Sequence, residues 1–449
     1  MDKERELELI LDLVARKKYV ELKEILKDMN EVDLADILNE IEAQTAVLLF
    51  RMLPKDLAVD VFARLTSERQ KEIINVITDK ELKYIVEELY FDDMIDLLEE
   101  MPANIVNKIL LQSNKEERDL INQFLKYPPD SAGSIMTIEY VDLKKSMTVK
   151  EALKHIKETG LTKETVYTCY VTDENRKLEG IISLRKLVTS ELDQRIEDIM
   201  ERDVIYVNTH DDQETVANIF RKYGFLALPV VDNENRLTGI ITVDDIMDVM
   251  EQEATEDFQK MAAMAPSDEA YLDSSVFELA KHRIFWLLVL MISATISGRI
   301  ISGAEEVLTA MIVLNSFIPM LMDTAGNSGS QSSTLVIRGL ATGEIEMKDF
   351  PKVLWKEFRI SIIVGVVLAF VNFLRLYYLE KIEFNISLLV SLTLIVVIVI
   401  SKLLGGILPL IAKKFKIDPA IMAGPLITTI ADAISLSIYF YFAKLILHI

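Results

Sequence analysis

Apolar residues recur at the 3.6-residue spacing of amphipathic helices from the start of the chain to about residue 127, with little glycine between them. The segments LPKDLAVDVFARL, from Leu53, and YFDDMIDLLEEMP, from Tyr90, repeat one pattern and predict an all-α array of short stacked helices. At Pro128-Pro129 the period changes. From there to about 250, short apolar strands alternate with helical stretches twice over: MTVKEALKHI and TCYVTDENRKLEGIISLRKL, then VNTHDDQETVANIF and ALPVVDNENRLTGIITVDDIMDV. Aligning VTDENRKLEGIIS, from Val171, with VDNENRLTGIIT, from Val231, makes a duplicated β-α-β-β-α unit plain, and two such units predict a pseudo-symmetric α/β pair. The run DDIMDVMEQEATEDFQKMAAMA, from Asp244, predicts one amphipathic, acidic, Met-rich connecting helix.

Beyond Arg283 the pattern becomes nearly continuous apolar sequence, in stretches at 284–303, 306–326, 358–379, 386–411 and 419–446. Each is long enough to cross a hydrocarbon core of about 30 Å, which takes about 20 helical residues. The chain thus reads as a multidomain membrane protein. Its expected parts are an acidic helical domain at 1–130, α/β units at 131–199 and 200–252, a connecting helix at 246–270 and a transmembrane domain of five spans at 271–449.

Charge sharpens this division. Residues 1–282 carry 35 Lys+Arg against 60 Asp+Glu, net −25, whereas residues 283–449 carry 14 against 11, net +3. The acidic excess would repel nucleic-acid phosphates and suits cationic partners. The one cysteine, Cys169, has no disulfide partner within the chain, and His155, His210, His282 and His448 lack ligand spacing. Zinc or copper would want clustered Cys and His, whereas a surplus of carboxylates suits hard divalent cations. No signal peptide is visible in MDKERELELI.

Basic residues set the expected orientation. Lys281, His282 and Arg283 precede the first span; Arg338, Lys348, Lys352, Lys356 and Arg359 follow the second; Lys413, Lys414 and Lys416 follow the fourth. The positive-inside rule places the N-terminus in the cytoplasm and Ile449 outside a cell membrane crossed several times.

Two spans contain what a lipid-facing helix avoids. If the end of the second is helical, Asp323, Asn327, Ser330, Gln331 and Thr334 share a face. In the fifth, Gly424-Pro425 is followed by Thr428, Asp432 and Ser435 on one face. A carboxylate near mid-membrane costs several kcal/mol unless it meets water, a cation or a partner, so Asp432 is a candidate for an ion pathway. The structural alternatives are a salt bridge to Lys402 and, for the small and hydroxyl residues, packing between helices. An intramembrane aspartyl protease built on Asp323 and Asp432 is a rival, opposed by the lack of a Gly-x-Gly-Asp element. No phosphate loop of the form G-x-x-x-x-G-K-[ST] is present. Transport without enzymatic chemistry is therefore expected.

The doubled α/β unit resembles a pair of cystathionine-β-synthase (CBS) domains, regulatory modules that often bind adenine nucleotides. The resemblance implies a Gly-apolar-apolar-Ser/Thr-x-x-Asp turn holding ribose. The second repeat matches at Gly239, Thr242 and Asp245, whereas the first has Gly180 and Ser183 but Lys186 in place of the acid. ATP or another adenine nucleotide is the implied ligand.

The whole order of parts, together with FIPMLMDTAGNSGSQSSTL and DPAIMAGPLITTIAD, resembles the MgtE family of magnesium channels. That resemblance implies a homodimer in a lipid bilayer that carries Mg²⁺ into the cytosol and is closed by high internal Mg²⁺. It implies Asp432 as the pore carboxylate, Asn327, Gly329 and Gln331 as the small polar signature of the second span and Pro425-Leu426 as the turn before the acid, with Gly424 where Asn is expected; Asn327, Gln331, Thr428 and Asp323 are the further expected residues of the path. It also implies regulatory Mg²⁺ sites at Asp60 and Asp92 of the helical array, Asp212, Glu214, Asp245 and Asp248 of the second CBS repeat, and Glu253, Glu256 and Asp257 of the connecting helix. The alternative cargo is another divalent cation: Co²⁺, Ni²⁺ or Mn²⁺. Singly, acids such as Asp60 and Asp92 are ordinarily solvated helix faces.

Overall fold

The computed structural model describes residues 3–113, 115–267, 271–272 and 274–447; His448 and the predicted external end at Ile449 lie outside them. The chain divides into two compact units, 1–249 and 250–449.

The first unit opens with the predicted helical array. Its members are α1 (Lys3–Ala15), α2 (Tyr19–Lys27), α3 (Glu31–Glu40), α4 (Ala43–Phe50), α5 (Lys55–Ala63), α6 (Ser67–Val76), α7 (Asp79–Glu88), α8 (Phe91–Glu100), α9 (Ala103–Gln112) and α10 (Lys115–Phe124). Short helices of this kind need defined ends. Asn30 accepts from the Val32 amide to start α3, and Thr78 and Glu81 form a capping box on α7. Alternate helices then stack, α3 on α5, α5 on α7 and α7 on α9. Leu34, Leu38, Leu49, Phe62, Ile73 and Leu82 fill the interior, which runs on without a break into Val216, Phe220, Leu228 and Ile246 of the second α/β repeat. Array and second repeat are one hydrophobic body.

Each α/β repeat has the predicted order. In the first, β1 (Asp142–Lys144), α11 (Val149–Thr159), β2 (Thr168–Thr172), β3 (Leu178–Ser183) and α12 (Leu184–Thr189) build a three-stranded sheet, with β1 parallel and β3 antiparallel to β2. After α13 (Ile196–Ile199), the second repeats this with β4 (Val207–Asn208), α14 (Gln213–Tyr223), β5 (Ala227–Val231), β6 (Leu237–Thr242) and α15 (Val243–Met261). Even the irregularity recurs: the register shifts at Val171/Thr172 and at Val230/Val231.

The chain preceding each repeat pairs with the last strand of the other repeat. Thr137 exchanges amide hydrogen bonds with Ile240 of β6, and Glu201 with Ile181 of β3. Gly239 and Gly180 allow this approach: a Cβ on Gly239 would lie 2.5 Å from the Thr137 carbonyl oxygen, and one on Gly180 2.8 Å from that of Glu201. Both glycines sit within strands and serve this exchange. The connecting helix, expected over 246–270, begins directly after β6 and ends at Met261, where the chain turns.

The second unit contains α16 (Val276–Ser302), α17 (Glu305–Ala310), α18 (Ile318–Ala341), α19 (Phe350–Leu374), α20 (Phe384–Lys414) and α21 (Gly424–Leu447). Among the described residues, four helical segments are long and apolar enough to span a membrane: 276–302, 347–379, 384–414 and 419–447. This corrects the expected five. The stretch 306–326 is not one helix, because α17 stops at Met311 and a 3-10 segment, Ile312–Phe317, leads into α18. Pro319 occupies the first turn of α18, where its missing amide hydrogen costs nothing. Helix α18 has the length to cross but carries the polar run, which lowers its apolar content, and it packs against α20 and α21. Leu314, Leu321, Leu389, Ile398, Leu436 and Tyr439 form the core beside it, and the Tyr439 hydroxyl donates to the Leu314 carbonyl at 3.0 Å.

Candidate functional site

In the membrane unit the polar face predicted on α18 forms as a helical face. Asp323, Asn327, Gln331 and Thr334 lie open on it, while Ala325, Ser328, Gly329, Ser332 and Ser333 are buried behind. Close helix contact explains the small residues: a Cβ on Gly326 would meet Thr428 Cγ2 at 2.7 Å, and one on Gly329 would meet Ile427 Cγ2 at 2.6 Å. These contacts bring α21 alongside, and with it Asp432, half-buried one turn beyond Thr428. Its Oδ1 is buried without a hydrogen-bond partner.

Lys402, the expected salt-bridge alternative for Asp432, points elsewhere. It is 4% exposed and lies against Gln331 and Ser332 of α18. The Thr428 hydroxyl donates to the Gly424 carbonyl at 2.9 Å, which leaves its lone pairs for a further donor. Gly424 has φ +29, and a Cβ there would lie 2.8 Å from the Met261 carbonyl oxygen, so no Asn fits that backbone as it stands.

Met261 belongs to a second feature of this unit. The last turn of α15 is seated on the loop before α21, with Met261 packed against Ile337, Ala420 and Ala423. Lys260 Nζ lies 2.7 Å from Asp418 and 2.5 Å from Glu256. Burial lowers the Lys260 pKa, but these two carboxylates outweigh it and hold it above its ordinary value. Asp418 also starts the short Pro419–Met422 helix by accepting from the Ala420 amide. Of the predicted acids on this part of α15, Glu256 is thus engaged by Lys260; Glu253 and Asp257 lie on the same stretch of helix.

In the first unit, nine carboxylates line one cavity of about 500 Å³: Glu31 (α3), Asp60 (α5), Glu88 (α7), Asp92 and Asp93 (α8), Glu164, and Asp244, Asp245 and Asp248 (α15). Arg64 is its one cation among the described residues. Four predicted residues, Asp60, Asp92, Asp245 and Asp248, meet here. Asp212 and Glu214 do not, since Asp212 caps α14 by accepting from the Glu214 amide at 2.9 Å. Sequence reasoning missed Glu31, Glu88, Asp93, Glu164 and Asp244 as members of this cavity. Glu164 follows a 3-10 turn and carries no periodic signal; Asp244 had one, adjacency to Asp245 at a helix start.

Burial and crowding alter these acids. Burial first, then Asp245 and Asp93, push Asp92 up to about 9. Burial, with Asp245 and Asp244, pushes Glu164 up to about 7. Burial raises Asp245 and Asp93 to about 6, opposed by the Thr242 hydroxyl on Asp245 and by Arg64 on Asp93. Groups raised on folding stabilise the packed state fully below their unfolded values, and lose that contribution as pH climbs through about 6 to about 9. Without divalent ions, amides of α8 and of the first turn of α15 are therefore expected to be protected from hydrogen exchange at about pH 5 and exposed by about pH 9. Protection that rises with pH would refute this. Among the described residues no three carboxylates stand close enough to ligate a metal directly.

The acid of the predicted nucleotide turn, Asp245, lines this cavity. Thr242 donates to Asp245, and the surrounding charge opposes a phosphate. A separate cleft of about 860 Å³ opens between the two repeats beside Ser183, lined by Tyr167, Tyr223, Phe225, Pro229 and Arg185.

Comparison with known proteins assigns these parts to families. A profile described as divalent cation transporter matches residues 318–442, the MgtE intracellular N domain matches 29–130, and the CBS domain matches 132–193 and 196–252. The magnesium transporter MgtE of Thermus thermophilus is 36% identical over 433 residues, 95% of each chain. That of Bacillus subtilis is 33% identical over 439 residues, 98% of this chain and 97% of its own. The crystal structure of the soluble part of a magnesium transporter matches with TM-score 0.53 at 32% identity, covering 56% of this chain and 100% of that one. The cytosolic domain of the Mg²⁺ channel MgtE in complex with ATP matches with TM-score 0.51 at 34% identity, over 54% and 98%. The N domain, the CBS pair and the transporter domain are all matched in one chain, relatives align with it over nearly their full length, and the chain belongs to the MgtE family of multi-pass divalent cation transporters.

Proposed function

We propose that this chain is a Mg²⁺ channel that works as a homodimer, admits Mg²⁺ to the cytosol down its electrochemical gradient, and closes when cytosolic Mg²⁺ is high. The observation that carries this reading is the unpaired Asp432 carboxylate beside the open polar face Asp323, Asn327 and Gln331. Such a face cannot stand against lipid, where polar groups lack partners, so it calls for water and a second protein surface. A second copy related by a two-fold axis supplies both and sets two Asp432 carboxylates across one path. Mg²⁺ sheds water reluctantly, so few carboxylates and several hydrogen-bond acceptors, Thr428 among them, suffice to recognise the hydrated ion. The membrane potential, about 2.3 kcal/mol per charge per 100 mV, drives it.

The proposed gate is α15, continuous from the carboxylate cavity at Asp244 to the Lys260–Asp418 contact. Mg²⁺ held in the cavity would bind α8, α5 and the head of α15 together and keep the far end seated. In this reading residues 1–130, the two CBS repeats at 131–199 and 200–252, and the connecting helix face the cytosol. The direct test is Mg²⁺ entry into proteoliposomes with internal Mg²⁺ varied. Flux that falls as internal Mg²⁺ rises is expected; flux indifferent to it would remove the gating reading, and entry of Co²⁺, Ni²⁺ or Mn²⁺ in preference to Mg²⁺ would remove the selectivity.

The cleft beside Ser183 is proposed to hold the adenine nucleotide. Its aromatic walls suit a base and Arg185 suits a phosphate, and a relative's cytosolic domain has been solved with ATP. Arg185→Ala in the full chain should weaken ATP binding about ten-fold by calorimetry, whereas Thr242→Ala should leave it unchanged. The reverse pattern would return the site to the second repeat.

A further inference from the structure

Three side chains outside the proposed path meet where α18, α19 and α20 pack together. Lys402 of α20 is 4% exposed, Ser332 of α18 1% and Glu357 of α19 7%. Small residues let the backbones close over them: a Cβ on Gly405 would stand 2.2 Å from the Gly329 carbonyl oxygen, and one on Gly406 3.3 Å from Glu357 Cγ. Ser332 donates its single proton to Glu357 Oε2 at 2.6 Å. In the 3.5 Å contact of Lys402 with the same hydroxyl, the ammonium is therefore the donor. Lys402 also reaches Gln331 Oε1 at 3.4 Å. An ammonium accepts nothing, so Gln331 must turn its oxygen towards Lys402 and its NH₂ group away.

We propose that Lys402, Ser332 and Glu357 form a charge-neutral clamp across three helices that fixes the amide of Gln331, which makes Lys402 a positioning residue for the ion path and not the counter-ion of Asp432. This rests on the proposed place of Gln331 along that path. The waters around Mg²⁺ point their hydrogens outward and seek acceptors. A Gln331 whose oxygen is held by Lys402 offers them donors, and so passes the ion on without retaining it. Releasing the clamp frees the oxygen, and the ion binds there more tightly and leaves more slowly.

The test uses the full-length protein in proteoliposomes. Lys402→Met strands Glu357 as a lone buried charge and should lower the yield of assembled protein; adding Glu357→Gln should restore it. In this double variant both the half-saturating Mg²⁺ concentration and the maximal flux should fall, each about five-fold, a joint change that a purely structural lesion would not give. With Gln331→Ala present, the double substitution should no longer shift half-saturation. Three results would overturn the clamp: normal assembly and transport in Lys402→Met, rescue of assembly by Asp432→Asn in place of Glu357→Gln, or a half-saturation shift that persists without Gln331. Cd²⁺ block of Gln331→Cys tests the underlying placement separately. Failure to block would take Gln331 off the path whatever the clamp does, and leave no ion for it to act on.

Discussion

Asp432→Asn is expected to lower Mg²⁺ flux at least about a hundred-fold while leaving the amount of folded protein unchanged. In the proposed homodimer, two carboxylates at about 5 Å from a hydrated dication, in a water-filled path of high dielectric, would each contribute about 1.7 kcal/mol, and losing both would be worth about 3 kcal/mol. Folding should survive because the carboxylate has no ion pair to break: Lys402 is turned to α18, and Oδ1 has no hydrogen-bond donor. The Asn side chain keeps the shape and removes only the charge. Asp323, open on the face of α18 and nearer the start of that helix, should cost less when neutralised, about five-fold, acting by concentrating cations at the entrance. Radiotracer or fluorescent-indicator influx into proteoliposomes at neutral pH, set against the dimer fraction from size exclusion, measures both quantities. Wild-type influx in Asp432→Asn would discard the carboxylate as the selective element. Loss of folding would instead reveal a structural role.

What the sequence made legible follows physical range. Four of the five apolar stretches, the polar face of α18 and the doubled β-α-β-β-α unit are short-period signals, and each appears where its period placed it. The second span misled because a window of apolar residues conceals local geometry. Met311 ends α17, and Pro319 begins a new helix inside the window. The CBS resemblance placed Gly239 in a ligand turn but said nothing of the backbone that packs against it. The segment that needs the glycine, around Thr137, comes from outside both aligned strings.

Tertiary partners were illegible for a stronger reason. Nothing in the spacing of α19 and α20 tells Lys402 to meet Ser332 and Glu357, because that choice is made by glycines that let three backbones close on one another. The carboxylate cavity was half-read in the same way. Asp60, Asp92, Asp245 and Asp248 came through family resemblance, but the shared core that draws α8 to the head of α15 also brings in Glu31, Glu88 and Glu164. Acids that look like solvated faces one helix at a time become a crowd when the helices pack. Their raised pKa values record that crowding.

Closure should fail in two separable ways when the two ends of α15 are altered. At the cavity, Asp92→Ala, Asp245→Ala and Asp248→Ala together remove a third of the nine carboxylates there. Moving a two-state gate from about 1:99 to about 99:1 needs about 5.5 kcal/mol of preference for the closed state, which several weakly held ions can share at about ten-fold each. Losing the anchorage of one or two of them should raise the half-closing Mg²⁺ concentration at least ten-fold, about 1.4 kcal/mol or more. At the far end, Lys260→Met removes the contacts to Asp418 and Glu256 without touching the cavity. This variant should still gain hydrogen-exchange protection of α8 and the head of α15 as Mg²⁺ is added, yet remain open to flux. The triple variant should lose protection and closure together. K⁺ at matched ionic strength serves as the control, because screening alone would act through any salt. Equal protection by K⁺, or a triple variant that closes without Mg²⁺, would mean that relief of repulsion is enough and that no ion bridges the helices. A Lys260→Met channel that closes normally would leave the seated end of α15 as a bystander to the gate.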